Sequence, residues 1–217
     1  MKYWQTVIEF IAGFSTAGQR RLNIIFFTFF LLLCGLQTYA ALGENRLGLT
    51  ELIFIIHNLV FAGVFLTRKP VKALSESFKH QAVALAAFFS GPFFIGPAVT
   101  NNPACVFASE IITAAALLLG MATLLNLGKS FGVMVAVREL KSRGLYGVVR
   151  HPMYATDIMM RLGYLITHAG IFNVCLVLFS SACYIWRAVL EESFWQQHSD
   201  YQEYMQKVPY RFIPRIF

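Results

Sequence analysis

Twenty-one consecutive residues, Leu22 to Leu42, carry no charged side chain. As a helix this stretch is about 32 Å long, enough to cross a hydrocarbon core of roughly 30 Å. A chain built around such a segment must hide it in lipid or in a very large core, and several more follow. Leu52 to Thr67 is uncharged, with His57 inside it. Gln81 to Val99 is a third apolar run; Gly91-Pro92 falls within it, so a kink or an early end is expected. Ala104 to Leu127 is the fourth, with Glu110 near its start. Composition agrees: 57% of the 217 residues are hydrophobic and 13% are charged, against about 25% charged in a soluble domain. An ordinary soluble enzyme and a disordered chain are both excluded. Cys34, Cys105, Cys175 and Cys183 lie in or beside apolar stretches and form no CxxC pair. They read as small buried hydrophobes, not as a disulfide frame or a zinc site.

Beyond Leu127 the chain changes character. Lys129 to Pro152 is polar, basic and glycine-rich. Two shorter apolar runs follow, Ala155 to His168 and Phe172 to Trp186, separated by His168-Ala169-Gly170. The first covers only about 21 Å as a helix and carries Asp157 and Arg161. The pair reads as a tight helical hairpin with its first arm partly buried in protein. From Arg187 the chain is polar and helical, and it ends in Val208-Pro209-Tyr210-Arg211-Phe212-Ile213-Pro214. Tyr3 to Phe14 has apolar residues at helical spacing, which fits an interfacial helix or a tucked-in packing helix equally well.

The net charge of +7 could point to nucleic acid, but the basic residues sit between apolar runs, so no nucleic-acid partner is expected. They report orientation instead. Lys2, Arg20 and Arg21 precede the first span. Arg68, Lys69, Lys72 and Lys79 lie between the second and third, and Lys129, Arg138, Lys141, Arg143 and Arg150 follow the fourth. The loop Gly43–Glu51 is neutral or slightly acidic and the one at Asn101 is uncharged. All basic segments then fall on the cytoplasmic side, with both termini inside. The amino-terminal apolar run is too long for a cleavable signal peptide. The compact length suits a bacterial or archaeal inner membrane.

Five short motifs occur in order in the last ninety or so residues. They are Leu127-Gly128-Lys129-Ser130-Phe131-Gly132; Gly144-Leu145-Tyr146; Arg150-His151-Pro152-Met153-Tyr154; Arg187-x-x-x-Glu191-Glu192; and Tyr201-x-x-Tyr204-x-x-x-Val208-Pro209. Together they resemble the isoprenylcysteine carboxyl methyltransferase family, to which phospholipid N-methyltransferases are related. The apolar runs, with no repeat or long linker between them, predict an all-α, polytopic membrane protein in one domain over residues 1–217, and the resemblance covers about its last ninety residues. Residues 1–127 would hold the amino-terminal helix and the four spans. Residues 128–217 would hold the hairpin and a cytoplasmic cofactor-binding region. The resemblance implies S-adenosylmethionine as methyl donor, with contacts from Arg138, Glu139, Leu140, Lys141, Tyr146, His151, Pro152, Met153, Tyr154 and Glu191. Arg187 matches the position facing the methyl acceptor. No metal is implied. Members often carry a glycine two residues after the motif tyrosine; here Thr156 stands there, followed by Asp157, which would narrow the pocket or alter the acceptor.

The residue types suit these roles. A sulfonium methyl donor is already electrophilic, so the protein mainly positions a nucleophile in line. Tyr146 and Tyr154 can stack on adenine or face a cation, Glu191 can accept hydrogen bonds from ribose or an amino group, and Arg187 can hold a carboxylate through two bonds. Plainer readings exist beside them. The tyrosines could be headgroup anchors, His151 could bond only backbone, and Arg187 could pair with Glu191, although arginine before glutamate is the weaker helical order. His57 reads as a satisfied interhelical hydrogen bonder, Glu110 as solvated, and Asp157 and Arg161 as a pair within the hairpin. The expected function is methyl transfer to a lipophilic acceptor arriving from the bilayer, with a carboxylate on an isoprenylcysteine-like lipid favoured over a phospholipid amine. A reductase or isomerase of isoprenoid lipids would need a nicotinamide or haem site, and the sequence has neither a nucleotide fingerprint nor an axial ligand set. A membrane scaffold or transporter subunit would leave Arg138 to Tyr154 free to vary.

Overall fold

In the computed structural model, residues 16–43, 48–69, 71–91 and 98–216 are described. The expected helix at Tyr3 to Phe14 lies outside them. In chain order the elements are α1 (Thr16–Gly43), α2 (Leu49–Thr67), β1 (Ala73–Leu74), α3 (Phe78–Phe89), α4 (Pro103–Leu127), β2 (Ala136–Val137), α5 (Pro152–Thr167), α6 (Ile171–Trp195) and α7 (Ser199–Lys207). Among the described residues the protein is thus all-α apart from one two-residue strand pair.

Among the described residues, α1, α2, α4 and α6 are long and apolar enough to cross a membrane. Their outward sides carry Ile25, Leu32, Leu36, Leu118, Leu125, Leu178 and Phe179, all exposed. Lipid, not water, is the solvent that tolerates this surface. The helix starts and stops are locally encoded. The Asn102 side chain accepts a hydrogen bond from the Ala104 N–H at 2.9 Å, with Pro103 in the first turn of α4. Gly128, at φ +49°, ends that helix in a conformation that suits glycine. Pro152 opens α5 in the same way as Pro103 opens α4.

Two expectations shift here. Among its described residues the run Gln81 to Val99 supplies no helix of spanning length. Helix α3 has 12 residues, about 18 Å, and ends at Ser90 just before Gly91; Pro92 to Pro97 lie outside the described residues. The second hairpin arm instead runs nine residues past Trp186, and its 25 residues make it the fourth helix of spanning length. Helix α3 packs on α6 through Val83, Ala84 and Ala87.

Phenylalanines fill the space between α1, α2 and α3. Phe61, Phe65, Leu124 and Phe131 are buried, with Phe26, Phe30 and Phe88 packed on them. Phe26 stacks on Phe65 with centroids 4.8 Å apart, and Phe61 meets Phe131 edge-on at 5.0 Å. At one end of the bundle β1 pairs antiparallel with β2, Ala73 opposite Val137 and Leu74 opposite Ala136. The fully buried Gln81 extends this pairing with its side chain. Its amide donates to Ser75 O at 2.7 Å and Val135 O at 3.2 Å, and its carbonyl accepts from Val135 N–H at 3.0 Å. Gln81 therefore ties the 128–138 segment to α3.

Helices α4 and α5 touch through small residues. Ser109 Oγ donates to Gly163 O at 2.8 Å, and a Cβ on Gly163 would lie 2.7 Å from Thr113 Oγ1 and 3.0 Å from Thr113 N. Small residues let membrane helices approach this closely. Gly163→Ala forces the two helices apart and is expected to cost about 1–3 kcal/mol, read as a lower melting temperature in detergent.

Candidate active site

The loop before α5 and the segment after α7 are fastened to each other by one acid. Glu192, on the last turns of α6, is 1% exposed. Its Oε1 accepts from Arg150 Nε at 2.8 Å and lies 3.1 Å from His151 Nε2; its Oε2 accepts from Arg211 Nε and NH2, each at 3.0 Å. Arg150 also donates through NH1 to Val208 O and Pro209 O, at 2.9 and 2.6 Å. The backbone N–H groups of Arg150 and His151 donate to Tyr210 O and Arg211 O. Two adjacent motifs, Arg150-His151-Pro152 and Val208-Pro209-Tyr210-Arg211, thus form a strap closed over a buried carboxylate. Tyr204 OH donates to Tyr146 O at 2.6 Å and binds α7 to the same loop.

Next to this strap, Glu191 faces the other way. Tyr154 OH meets both of its oxygens at 2.8 Å, and Arg187 Nε donates to Oε1 at 2.8 Å. The Arg187 guanidinium lies over the Tyr154 ring at 5.1 Å, and the His151 ring stacks on the same tyrosine at 5.3 Å. The remaining Arg187 nitrogens point at carbonyls: NH1 at Ala84 O, 3.4 Å, and NH2 at Gly132 O, 3.2 Å. Arginine and glutamate pair here despite the weaker order because α3 and the 128–132 turn also hold the arginine.

These groups open onto one cavity of about 370 Å³, inside the range of roughly 300–1,000 Å³ for small-molecule sites. Arg138, Glu139, Leu140, Lys141, Tyr146, His151, Met153, Tyr154, Arg187 and Glu191 all line it. Pro152 does not; it is buried and starts α5. The opposite wall is aromatic, with Phe29, Phe30, Phe54, Phe61, Phe88 and Phe89.

Electrostatics sort the polar wall. Arg138 is buried and donates through NH1 to Lys69 O. Burial brings its guanidinium down to about 10, so it stays charged at neutral pH. Lys69 and Lys141 flank Glu139 and hold its carboxyl down to about 2. Tyr146 is pushed well up by burial and remains a neutral hydroxyl. Arg138 Nε and Ser130 Oγ are buried and have no hydrogen-bond partner among the described residues. Both belong to residues that line the cavity, so the wall still has bonds to offer. With the glutamates and tyrosines nearby, the residues present fit a zwitterionic, adenosine-bearing ligand.

Residues 104–203 match the family model of phospholipid methyltransferases. The matched stretch runs from the start of α4 into α7 and contains the loop, Arg187, Glu191 and Glu192. It supports a membrane methyltransferase. None of the curated proteins compared with the chain matches it.

Four features went unread in the sequence. Glu192 looks like a second copy of Glu191 until Arg211 is brought back to it. Gln81 sits in an apolar run with nothing to mark it as a strand partner. The expected Asp157–Arg161 pair interacts electrostatically, and what went unread is Tyr184, which both of them reach. Arg161 donates to Ser90 Oγ at 2.7 Å and Tyr184 OH at 3.1 Å, while Asp157 sits beside that same Tyr184 hydroxyl. His57 is not the satisfied hydrogen bonder expected, for among the described residues its buried Nδ1 has no partner. The Thr156 departure is accommodated opposite Gly120, where an added Cβ would lie 3.4 Å from Thr156 Oγ1.

Proposed function

We propose that the protein is an S-adenosylmethionine-dependent methyltransferase acting on a lipophilic acceptor. The observation that carries this reading is a cavity lined both by charged and tyrosine side chains from the family-matched segment and by phenylalanines of α1, α2 and α3 that lie outside it. A polar donor and an apolar acceptor can meet in it. When bound, S-adenosylmethionine supplies a methyl group activated by a sulfonium. Arg138 and Ser130 would bind its carboxylate and Glu191 its amino or ribose hydroxyl groups; Tyr146 would offer a ring face to the adenine or the cation, while Tyr154, its ring already packed by Arg187 and His151, would hold Glu191 through its hydroxyl. Leu140, His151 and Met153 would complete the wall with Glu139 and Lys141, while Pro152 would act only by starting α5. The basic end would face the cytoplasm, where the cofactor enters, and the acceptor would come sideways from the bilayer.

A carboxylate acceptor would need Arg187 to give up one of its bonds to Glu191, Ala84 or Gly132. As arranged, Arg187 positions Glu191 and Tyr154. That geometry favours a second reading of the acceptor, a lipid amine or another nucleophile that is not anionic.

Calorimetric titration of the detergent-purified protein with S-adenosylhomocysteine tests the donor. Wild type is expected to bind. Tyr154→Phe removes only the hydroxyl on Glu191 and is expected to bind about tenfold more weakly, roughly 1.4 kcal/mol. A well-folded wild type that fails to bind would sink the methyltransferase reading and bring the scaffold reading forward.

A further inference from the structure

His57 lies deep in the bundle. It is eight residues into α2 and ten from its end, so about 12 Å of helix precedes it and about 15 Å follows. Polar groups at that depth are costly and tend to be kept for function. Its imidazole makes no hydrogen bond among the described residues, its Nδ1 is buried, and its one ring neighbour is Phe61 at 6.0 Å. Helix α4 makes room for it at Gly120, where a Cβ would lie 3.4 Å from His57 Nε2. Asp157, one turn into α5, lines the same cavity and lies within electrostatic range of His57. Asp157 is also joined to the donor end through aromatic contacts: it sits beside Tyr184 OH, and the Tyr184 and Tyr154 rings are 5.3 Å apart. A histidine and an aspartate that line the same cavity as Tyr154 and Glu191 make a second polar patch among its phenylalanines.

We infer that His57 and Asp157 form the acceptor subsite, that His57 takes the proton the acceptor loses, and that the acceptor is therefore a lipid whose nucleophile bears an N–H or O–H. This rests on the methyltransferase reading. A carboxylate has no proton to give up and needs no base, whereas an amine or a hydroxyl does. A neutral imidazole always has one nitrogen with a free lone pair, and among the described residues no hydrogen bond occupies it here. In the step, the acceptor's nitrogen or oxygen lone pair forms the bond to the methyl carbon. The carbon–sulfur bond of the sulfonium donor breaks with its electron pair left on sulfur, and the acceptor's proton passes to an imidazole nitrogen of His57. Asp157 then faces the imidazolium, so charge is balanced inside the cavity. Arg161, held by Ser90 and Tyr184, keeps Asp157 in place as a positioning residue.

The test is binding, with no turnover involved. Protein carrying [13C]-labelled histidine is saturated with S-adenosylhomocysteine and titrated with dodecylamine, 4-nonylphenol or dodecanoate. The His57 signal is assigned by its loss in His57→Gln. The expected result is a His57 shift with dodecylamine, 4-nonylphenol or both, none with dodecanoate, and at least tenfold weaker binding of the effective probe in His57→Gln and Asp157→Asn. Both variants should bind S-adenosylhomocysteine as wild type does, which also shows that they are folded. Which of the two probes moves the signal decides between an N–H and an O–H acceptor. A preference for dodecanoate, equal probe binding in both variants, or no shift with any probe overturns the inference while leaving the donor site standing. Failure of wild type to bind S-adenosylhomocysteine overturns both.

Discussion

Glu192→Ala is expected to destabilise the protein by about 3–5 kcal/mol, the range for removing one member of a buried charge cluster. The reason is what it leaves behind. Arg150 is 7% and Glu192 1% exposed, so the substitution strands a buried guanidinium and the nearby His151, and it releases Arg211 from the strap. Arg150 would keep its two carbonyl contacts at Val208 and Pro209, so the strap loosens before the helices part. Glu192→Gln retains a polar atom for each oxygen position but not the charge, and its cost should fall between those of alanine and wild type. Thermal unfolding in detergent gives the magnitude, and limited proteolysis of the segment after α7 gives the location. A change below about 1 kcal/mol in Glu192→Ala would show that solvent reaches the cluster and that the strap is held by backbone bonds alone.

Arg187→Ala is expected to weaken S-adenosylhomocysteine binding about a hundredfold, roughly 2.7 kcal/mol. Arg187 fixes Glu191 through a charge-assisted bond of 2.8 Å and roofs the Tyr154 ring at 5.1 Å. Without it Glu191 is left in a mostly buried place with Tyr154 as its remaining hydrogen-bond donor, and the pair loses its fixed orientation toward the cavity. Arg187→Lys restores the charge but cannot reach Glu191, Ala84 and Gly132 together, because an ammonium is a point charge and a guanidinium a planar fork. It should recover part of the affinity. The discriminating result is the ratio of the two effects. If Arg187→Ala lowers the melting temperature but binds the ligand with wild-type affinity, the arginine only packs α6 against α3. If affinity falls while the melting temperature holds, it positions the site.

The crossings were readable because lipid imposes a length and a polarity on any helix it surrounds, and α1, α2 and α4 obey both. Among its described residues the third apolar run has the polarity without the length, for α3 stops at 12 residues just before Gly91. The loop at Arg150-His151-Pro152 was readable as a motif, and Tyr146, Tyr154 and Glu191 do meet on one cavity. What they touch was not readable, because the partners lie far apart in the chain. Glu192 meets Arg150 across 42 residues and Arg211 across 19; Gln81 meets Val135 across 54. His57 shows the limit most clearly. A lone histidine in an apolar helix usually finds a neighbouring acceptor, and only three-dimensional packing reveals that this one faces a cavity.

The strap has a consequence for how the protein is made. During synthesis α6 can enter the bilayer with Glu192 at its end while Arg150 and His151, already translated, are at hand. Arg211 and the carbonyls of residues 208–211 emerge later. The helical bundle can therefore be assembled before the loop at Arg150 is fixed, and the final orientation of Tyr154 and Glu191 waits on a segment that the ribosome delivers after α6. A translation pause placed between α6 and that segment would yield a molecule that is inserted but not yet competent.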